Sequence, residues 1–307
     1  MKTTRWDVLA MGAIAVDDLI YVDQYPQPNT KVPVAEKMRQ GGGLAGTAVV
    51  AAARLGARTA YCGVLGLDEL SRYTVQQLQN ENVDCSMIQY KKDAGPMHSV
   101  IIVVRNTGNR SILFYTAAFT PPDPSTITRE LITGCRILFL DSYCIDAGLQ
   151  AIDIAHDHGI PVLADIEPSP NPCFNHFVKQ IDHLIIGIEI GNRLTGKTDP
   201  GEIISSLTHD GRACCAVTAG EDGCWFSEYG GPIVHFPAYK VETMDTTGCG
   251  DVFHGAYAAR IASGDNVSDA IKIATAASGI KATQPGGRSG IPGLLEVMEF
   301  IREKEGR

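Results

Sequence analysis

No run in this 307-residue chain reaches the ~18 to 20 apolar residues that a membrane-spanning helix requires, which argues against a helical membrane protein. A basic surplus is missing too. Against 35 Asp and Glu stand 26 Lys and Arg, a net charge of −9, so no broad face is available to neutralise nucleic acid or anionic lipid. Small anionic ligands would have to be held locally. The nine cysteines include no C-x-x-C pair, and Cys214 and Cys215 are adjacent, so neither a disulfide framework nor a zinc site is supported; reduced thiols in the cytoplasm fit best. Internal repeats, low-complexity tracts and flexible linkers are also lacking, which leaves residues 1–307 as one unit. The two tryptophans, Trp6 and Trp225, read as packing residues. Lys2 and Arg5 followed by an apolar run and Ala13-Ile14-Ala15 imitate a secretion signal, but only Val8 to Gly12 would form its apolar centre and Asp7 interrupts the approach. A first buried strand is the expectation.

What is present is an alternation of short apolar runs with helix-period segments, the pattern of parallel strands joined by crossover helices. Strands are expected at Val8–Ala15, Thr59–Leu65, Ile137–Leu140, Val162–Asp165, His183–Ile186 and Cys214–Thr218. Helices are expected at Ala45–Leu55, Leu70–Asn80, Ala147–His158, Gly201–Thr208, Asp251–Ser263 and Ser268–Thr283. The fold class is therefore a doubly wound α/β domain with a mostly parallel sheet. Two segments break the rhythm: His98–Arg105 and Arg110–Thr116 around a turn at residues 106–109, and Leu19–Val34 interrupted by Pro26 and Pro28. Together they predict a small antiparallel β lid, discontinuous at about residues 17–40 and 97–117, over the carboxyl edge of the main sheet.

The chemistry concentrates in DTTGCGDVFHGA, Asp245 to Ala256, a glycine turn opening directly into a helix. Unpaired N–H groups at a helix start, on the positive end of its dipole, can hold a phosphoryl group. Gly248, Cys249, Gly250 and Asp251 would supply that anion hole, with Asp251 placed to take a proton from an attacking hydroxyl. The helix start should keep Asp251 ionised. A plain capped helix needs no two glycines flanking one residue.

The same block resembles the C-terminal signature of the ribokinase, or phosphofructokinase B, family of carbohydrate kinases. Gly42-Gly43 with Ala48–Gly56, Gly63-x-x-Gly66-x-Asp68 and Thr218-x-Gly220-x-x-Gly223 resemble further family motifs in the family's order. The resemblance implies an ATP- and Mg2+-dependent sugar kinase with Asp251 as catalytic base. It places Asp17, at the end of the first strand, with Gly42 and Gly43 at the sugar. Thr218, Gly220, Gly223 and Thr275 would lie along the nucleotide, and Asp245 and Thr247, with carbonyls near Gly286 to Gly290, would form a monovalent-cation (K+) loop. It also implies a homodimer formed through the lid.

Departures from the family pattern bear on the substrate. Thr47 and Ala15 stand where the family has sugar-binding asparagines; Gly187 takes the Asn position of its N-x-x-E motif, leaving Glu189 to reach Mg2+ through water. Cys249 replaces the usual Ala, and a thiol at a helix start should have a lowered pKa. Gly41-Gly42-Gly43, Thr47, DVFHGA and PGGRSGIP are most similar to the sulfofructose kinase branch, for which Lys31 and Arg288 would be the cations at a sulfonate. A ketohexose-like or pentose substrate is the expectation, a nucleoside or vitamin acceptor the alternative. His98 and His254 could reach a ligand or serve packing. Two rivals from other classes remain: a non-catalytic sugar-binding protein, and a dinucleotide oxidoreductase. The second rests on Gly41-x-Gly43-x-x-Gly46 with Asp68 downstream, though Lys37 to Gln40 before it do not read as a buried strand.

Overall fold

Strands buried on both faces need unbroken apolar runs, and the chain supplies them in VLAM of β1 (Val8–Met11), TAYCGVL of β4 (Thr59–Leu65) and ILFLD of β8 (Ile137–Asp141), in which every residue is buried. In the computed structural model, which describes residues 4–306 except Gly108, these strands sit inside a nine-stranded sheet. The other members are β5 (Ile88–Tyr90), β9 (Val162–Asp165), β10 (His183–Gly187), β11 (Cys214–Thr218), β12 (Cys224–Glu228) and β13 (Val234–Phe236), in the order β13-β12-β11-β10-β9-β8-β1-β4-β5. Pairing is parallel from β5 to β11 and antiparallel at β12 and β13. The chain order reverses between β1 and β8, and the crevice outside the carboxyl ends of such a pair is where α/β sheets bind ligands.

Helices cover both faces. On one lie α1 (Leu44–Arg54), α8 (Cys249–Ser263) and α9 (Val267–Ala282), packed through small side chains into one core; on the other, α4 (Ile145–Asp157), α5 (Phe174–Gln180) and α7 (Pro200–Leu207) bury Ala151, Phe177 and Ile203. Completing the set are α2 (Glu69–Asn80), α3 (Arg129–Ile132), α6 (Ile188–Thr195) and α10 (Leu294–Lys304). The crossing of α1 and α8 is close enough that a Cβ on Gly255 would stand 2.1 Å from the Ala48 carbonyl oxygen. Only glycine fits there.

A second sheet of four strands, in the order β3-β2-β6-β7, joins β2 (Ala15–Val22), β3 (Glu36–Gly42), β6 (Met97–Val104) and β7 (Arg110–Tyr115). It is antiparallel at both flanks and parallel between β2 and β6. Pro26 and Pro28 fall in the connection between β2 and β3, as residues without an N–H to donate should. Of the expected turn at residues 106–109, Gly108 lies outside the described residues, as does Lys2 of the signal-like segment.

The first strand is shorter than expected. It ends at Met11, because the Ala13 N–H is taken by the Asp141 carboxylate (2.6 Å) instead of a strand neighbour, and Ala15 already belongs to β2. Asp17 therefore rides on the smaller sheet and not on the end of β1. Lys37 to Gln40 do form a strand, β3, but one whose first half is exposed, so Gly41 and Gly42 end a strand of the smaller sheet and not a buried central one.

Candidate active site

Asp141 ends β8 between Gly12 and the start of α1. Its Oδ2 accepts from the N–H groups of Ala13 (2.6 Å) and Ala45 (3.3 Å), and its Oδ1 from that of Tyr143 (2.9 Å). Burial pushes its pKa up to about 7 despite those donors. A Cβ on Gly12 would fall 2.2 Å from Oδ2, so the glycine admits the carboxylate. Asp141 braces the crevice floor.

Beside it α8 begins. Gly248 adopts the left-handed conformation (φ 74°) with Gly287 O only 2.8 Å from where a Cβ would be, which makes the tight turn possible. Gly250 is different: nothing lies within 4 Å of its missing Cβ. A glycine inside the first helical turn costs up to ~1 kcal/mol relative to alanine, and here no packing contact explains it. The open space is what an incoming ligand would occupy. Asp251 follows, and its pKa stands well above the usual carboxylate range, first because it is desolvated and second because the Asp165 carboxylate faces it. The expectation of a readily ionised Asp251 is thus corrected: burial among like charges outweighs the helix dipole.

Asp165, at the end of β9, is itself pushed up to about 7 by burial, with Glu167 adding to the rise. Glu167 is raised by burial and by Glu189, against the nearby Arg193. Sequence reasoning singled out Glu189, exposed on the first turn of α6, but missed Asp165 and Glu167; a carboxylate ending an apolar strand was the available signal. Carboxylates that raise one another's pKa form a place a divalent cation would relieve. Among the described residues no three His, Cys, Asp or Glu side chains converge closely enough to hold a metal ion.

His254 is a tie and not a free ligand. Its Nδ1 lies 2.8 Å from Gly250 O and 3.4 Å from Asp165 Oδ2, and its Nε2 lies 3.0 Å from Ile185 O, fastening α8 to β10. Cys249 also departs from expectation. Its Sγ turns toward Ser278 O on α9 (3.6 Å), and burial raises the thiol pKa where a lowered one was expected. The thiol faces the helix packing.

The smaller sheet brings the expected sugar residues over this floor. Asp17 is buried, its pKa raised by desolvation against the Ser99 hydroxyl and the Arg288 guanidinium. A Cβ on Gly42 would sit 2.1 Å from Asp17 Oδ2, and one on Gly43 (φ 83°) 2.6 Å from Ala13 O, so both glycines are needed for this close approach. Arg288 donates from Nη2 to Gly42 O (2.8 Å) and lies 3.4 Å from Thr47 Oγ1, its pKa drawn down to about 10 by burial and supported by Asp17 and Asp251. Thr47 is buried beneath that guanidinium. Lys31 stands exposed between β2 and β3, without an ion-pair partner among the described residues. His98 Nε2 lies 2.8 Å from Asp18 Oδ2, within the smaller sheet. Neither proposed sulfonate cation is thus held ready: Lys31 is unanchored, and Arg288 is engaged with Gly42 and Thr47.

On the opposite side of α8, Thr218 ends β11 and leads into a turn in which the Ala219 N–H donates to Gly223 O (2.8 Å). Gly220 (φ 55°) and Gly223 (φ 95°) shape it, and Gly223 is also required by Phe236 O, 2.2 Å from where its Cβ would be. Thr275 is buried on α9 with its hydroxyl bonded to Ile271 O (2.8 Å). Asp245 stays below the usual carboxylate range: burial opposes its charge, but Thr247 and the Gly286 N–H donate to it.

A helix start with free N–H groups beside a carboxylate, at the ligand-binding edge of a doubly wound sheet, is equipment for passing a phosphoryl group to a hydroxyl. The family model for pfkB family carbohydrate kinases matches residues 7–293, and the chain belongs to that family. It is therefore a phosphotransferase with an alcohol acceptor. The chain is similar to the ribokinase of Staphylococcus aureus (strain COL), 28% identical over 305 residues that cover 94% of this chain and 98% of the relative. It is 26% identical over 292 residues to the protein named probable fructokinase-2 of Arabidopsis thaliana, covering 86% and 88%. The structure of Arabidopsis thaliana ribokinase complexed with ribose and ATP superposes with a TM-score of 0.85 at 19% identity, over 97% of this chain and 99% of that one, a likeness of fold. Membership in the family removes the oxidoreductase reading.

Proposed function

We propose that the enzyme transfers the γ-phosphoryl group of ATP to a primary hydroxyl of a small monosaccharide, a ketohexose or a pentose. The ribokinase and fructokinase names of its relatives support that acceptor class over a sulfofructose, a nucleoside or a vitamin. The observation that carries the reading is the pairing of Asp251 with the unobstructed Gly250 at the start of α8. The sugar lies under the smaller sheet, which acts as a lid, held by Asp17 and approached closely by Gly42 and Gly43; Thr47 acts only indirectly, as the floor beneath Arg288. The nucleotide runs over Thr218, Gly220 and Gly223 toward α8, with Thr275 behind it in the packing.

As the sugar oxygen bonds to the γ-phosphorus, the bond to the ADP oxygen breaks and the hydroxyl proton passes to the Asp251 carboxylate. The raised proton affinity of Asp251 suits a base that accepts late, when the oxygen has become acidic. Backbone N–H groups of Gly248, Gly250 and Asp251 stabilise the charge on the transferring group; the Cys249 N–H, expected to join them, donates instead to Thr246 O (3.2 Å). Glu189 and Glu167 would hold Mg2+ through water; the ion supplies charge neutralisation on the phosphates. Lid residues Ile112, Leu113, Phe114 and Tyr115 are exposed on the edge strand β7, which supports a homodimer through the lid, and nine free cysteines fit a reducing cytoplasm. No helix among the described residues is long and apolar enough to cross a membrane.

An ADP-release assay across ketohexoses, pentoses, sulfofructose and nucleosides tests the reading. Asp251→Asn should lower kcat by about 10^3-fold or more while leaving sugar binding, measured by calorimetry, intact. Unchanged turnover in that variant would remove Asp251 from the mechanism.

A further inference from the structure

In the loop that the resemblance assigns to a monovalent cation, the oxygens of Asp245 are already engaged. Asp245 Oδ1 accepts from Thr247 N (2.8 Å), Thr247 Oγ1 (2.7 Å) and Arg110 Nη1 (3.3 Å), and Oδ2 accepts from Gly286 N (2.8 Å). The Asp245 carbonyl oxygen accepts from Lys281 Nζ at 2.8 Å. Lys281 is among the largest fully buried side chains of the protein, at 0% exposure. It lies in the last turn of α9, whose end is clasped to the same loop by the Met244 and Asp245 N–H groups, both donating to Ala282 O (2.8 and 3.1 Å).

An unpaired ammonium is almost never buried this completely, because the loss of hydration is several kcal/mol. Burial lowers the Lys281 pKa, whereas Cys249, Asp245 and Asp251 favour its charge and Arg110 opposes it. The side chain thus brings positive charge to the turn that precedes the anion hole, and Arg110 adds a second cation from β7. An alkali ion placed on Asp245 would displace one and be repelled by the other. The residues present do not fit the ion.

We infer that Lys281, assisted by Arg110, supplies the fixed positive charge of this loop, so that the enzyme works without a monovalent cation. The catalytic half of the inference rests on the kinase reading above. Lys281 is a positioning residue: it holds the Asp245 carbonyl and, through the turn, the amides of Gly248 to Asp251.

The test compares wild type in tetramethylammonium and potassium salts, with three readouts. Expected are equal kcat in both salts, no rise in Tm on adding K+, and no Rb+ on Asp245 in crystals soaked with rubidium, since an ion that bound the native state would raise Tm. Lys281→Met, which keeps the length and apolar character of the stem, should lower kcat by about tenfold or more with little change in KM, and K+ should restore part of the loss. Saturable activation of the wild type by K+, a K+-dependent rise in its Tm, Rb+ bound at Asp245, or an unimpaired Lys281→Met enzyme would each overturn the inference. Should no acceptor be phosphorylated at all, the kinase reading fails while the Tm and Rb+ measurements still decide whether the loop takes an ion.

Discussion

Among single residues, Asp251 on the first turn of α8 and Asp165 at the end of β9 carry the proposed chemistry. Asp251 is raised by burial and then by Asp165, so removing the second charge should ease its ionisation. At low pH Asp251 carries its proton and cannot accept another. Asp165→Asn is therefore expected to move the acidic limb of the kcat profile to lower pH, and a pH–rate profile that stays in place would contradict it. For stability the sign is opposite to that of a salt-bridged aspartate. Because Asp165 binds its proton more tightly in the fold (about 7) than in the unfolded chain (3.8), its contribution is fully present below 3.8 and is lost as pH rises through about 7. Gly250→Ala separates function from folding, since its Cβ would meet no protein atom. We expect an unchanged or higher Tm together with a fall in kcat/KM for ATP of about tenfold or more, measured side by side on one preparation. The glycine turn that opens α8 ahead of Asp251 was legible in the sequence because two glycines at a helix start exceed what capping demands. The direction of Cys249 was not. Which way its Sγ turns is set by the packing of α9, some thirty residues further along the chain.

Whole elements were readable where burial was one-sided or complete. The apolar runs of β4, β9 and β11 matched the expected bounds, because strands covered on both faces have no polar alternation to blur their ends. Short pieces such as β5 and β13, three residues each, carry too little periodicity to be seen. Glu36–Gly42 escaped for another reason: its outer half is exposed and charged, and its pairing with β2 is set by the tertiary fold. The meeting of α1 with α8 was likewise hidden, since a glycine within a helix reads only as a weak helix former. Gly255→Ala should nonetheless destabilise by about 1–3 kcal/mol, against the helix preference of alanine, because its Cβ would press on the Ala48 carbonyl. Denaturant midpoints measure this, and a more stable variant would show that the crossing can widen freely.

For the molecule as a whole, the edge strand β7 is the most apolar exposed surface of the smaller sheet. Leu113 is 55% and Phe114 71% exposed on an outer strand that has β6 as its one strand neighbour among the described residues, a combination that proteins in water normally cover. Leu113→Glu with Phe114→Lys is expected to convert a dimer into monomers in sedimentation experiments, and a wild type that already sediments as a monomer would remove the proposed interface. The sequence revealed that a small sheet existed and roughly where it began and ended. Its parallel centre was beyond reach, since it follows from Ala15–Val22 turning away from β1 at a carboxylate supplied 128 positions downstream.

Arg110 stands on β7 of the smaller sheet yet reaches the Asp245 carboxylate that braces the turn into α8. Roof and cradle consequently share a strap. On the proposed reading, a carbohydrate drawn under the smaller sheet should therefore firm the nucleotide's grip through this one contact, and the nucleotide the carbohydrate's.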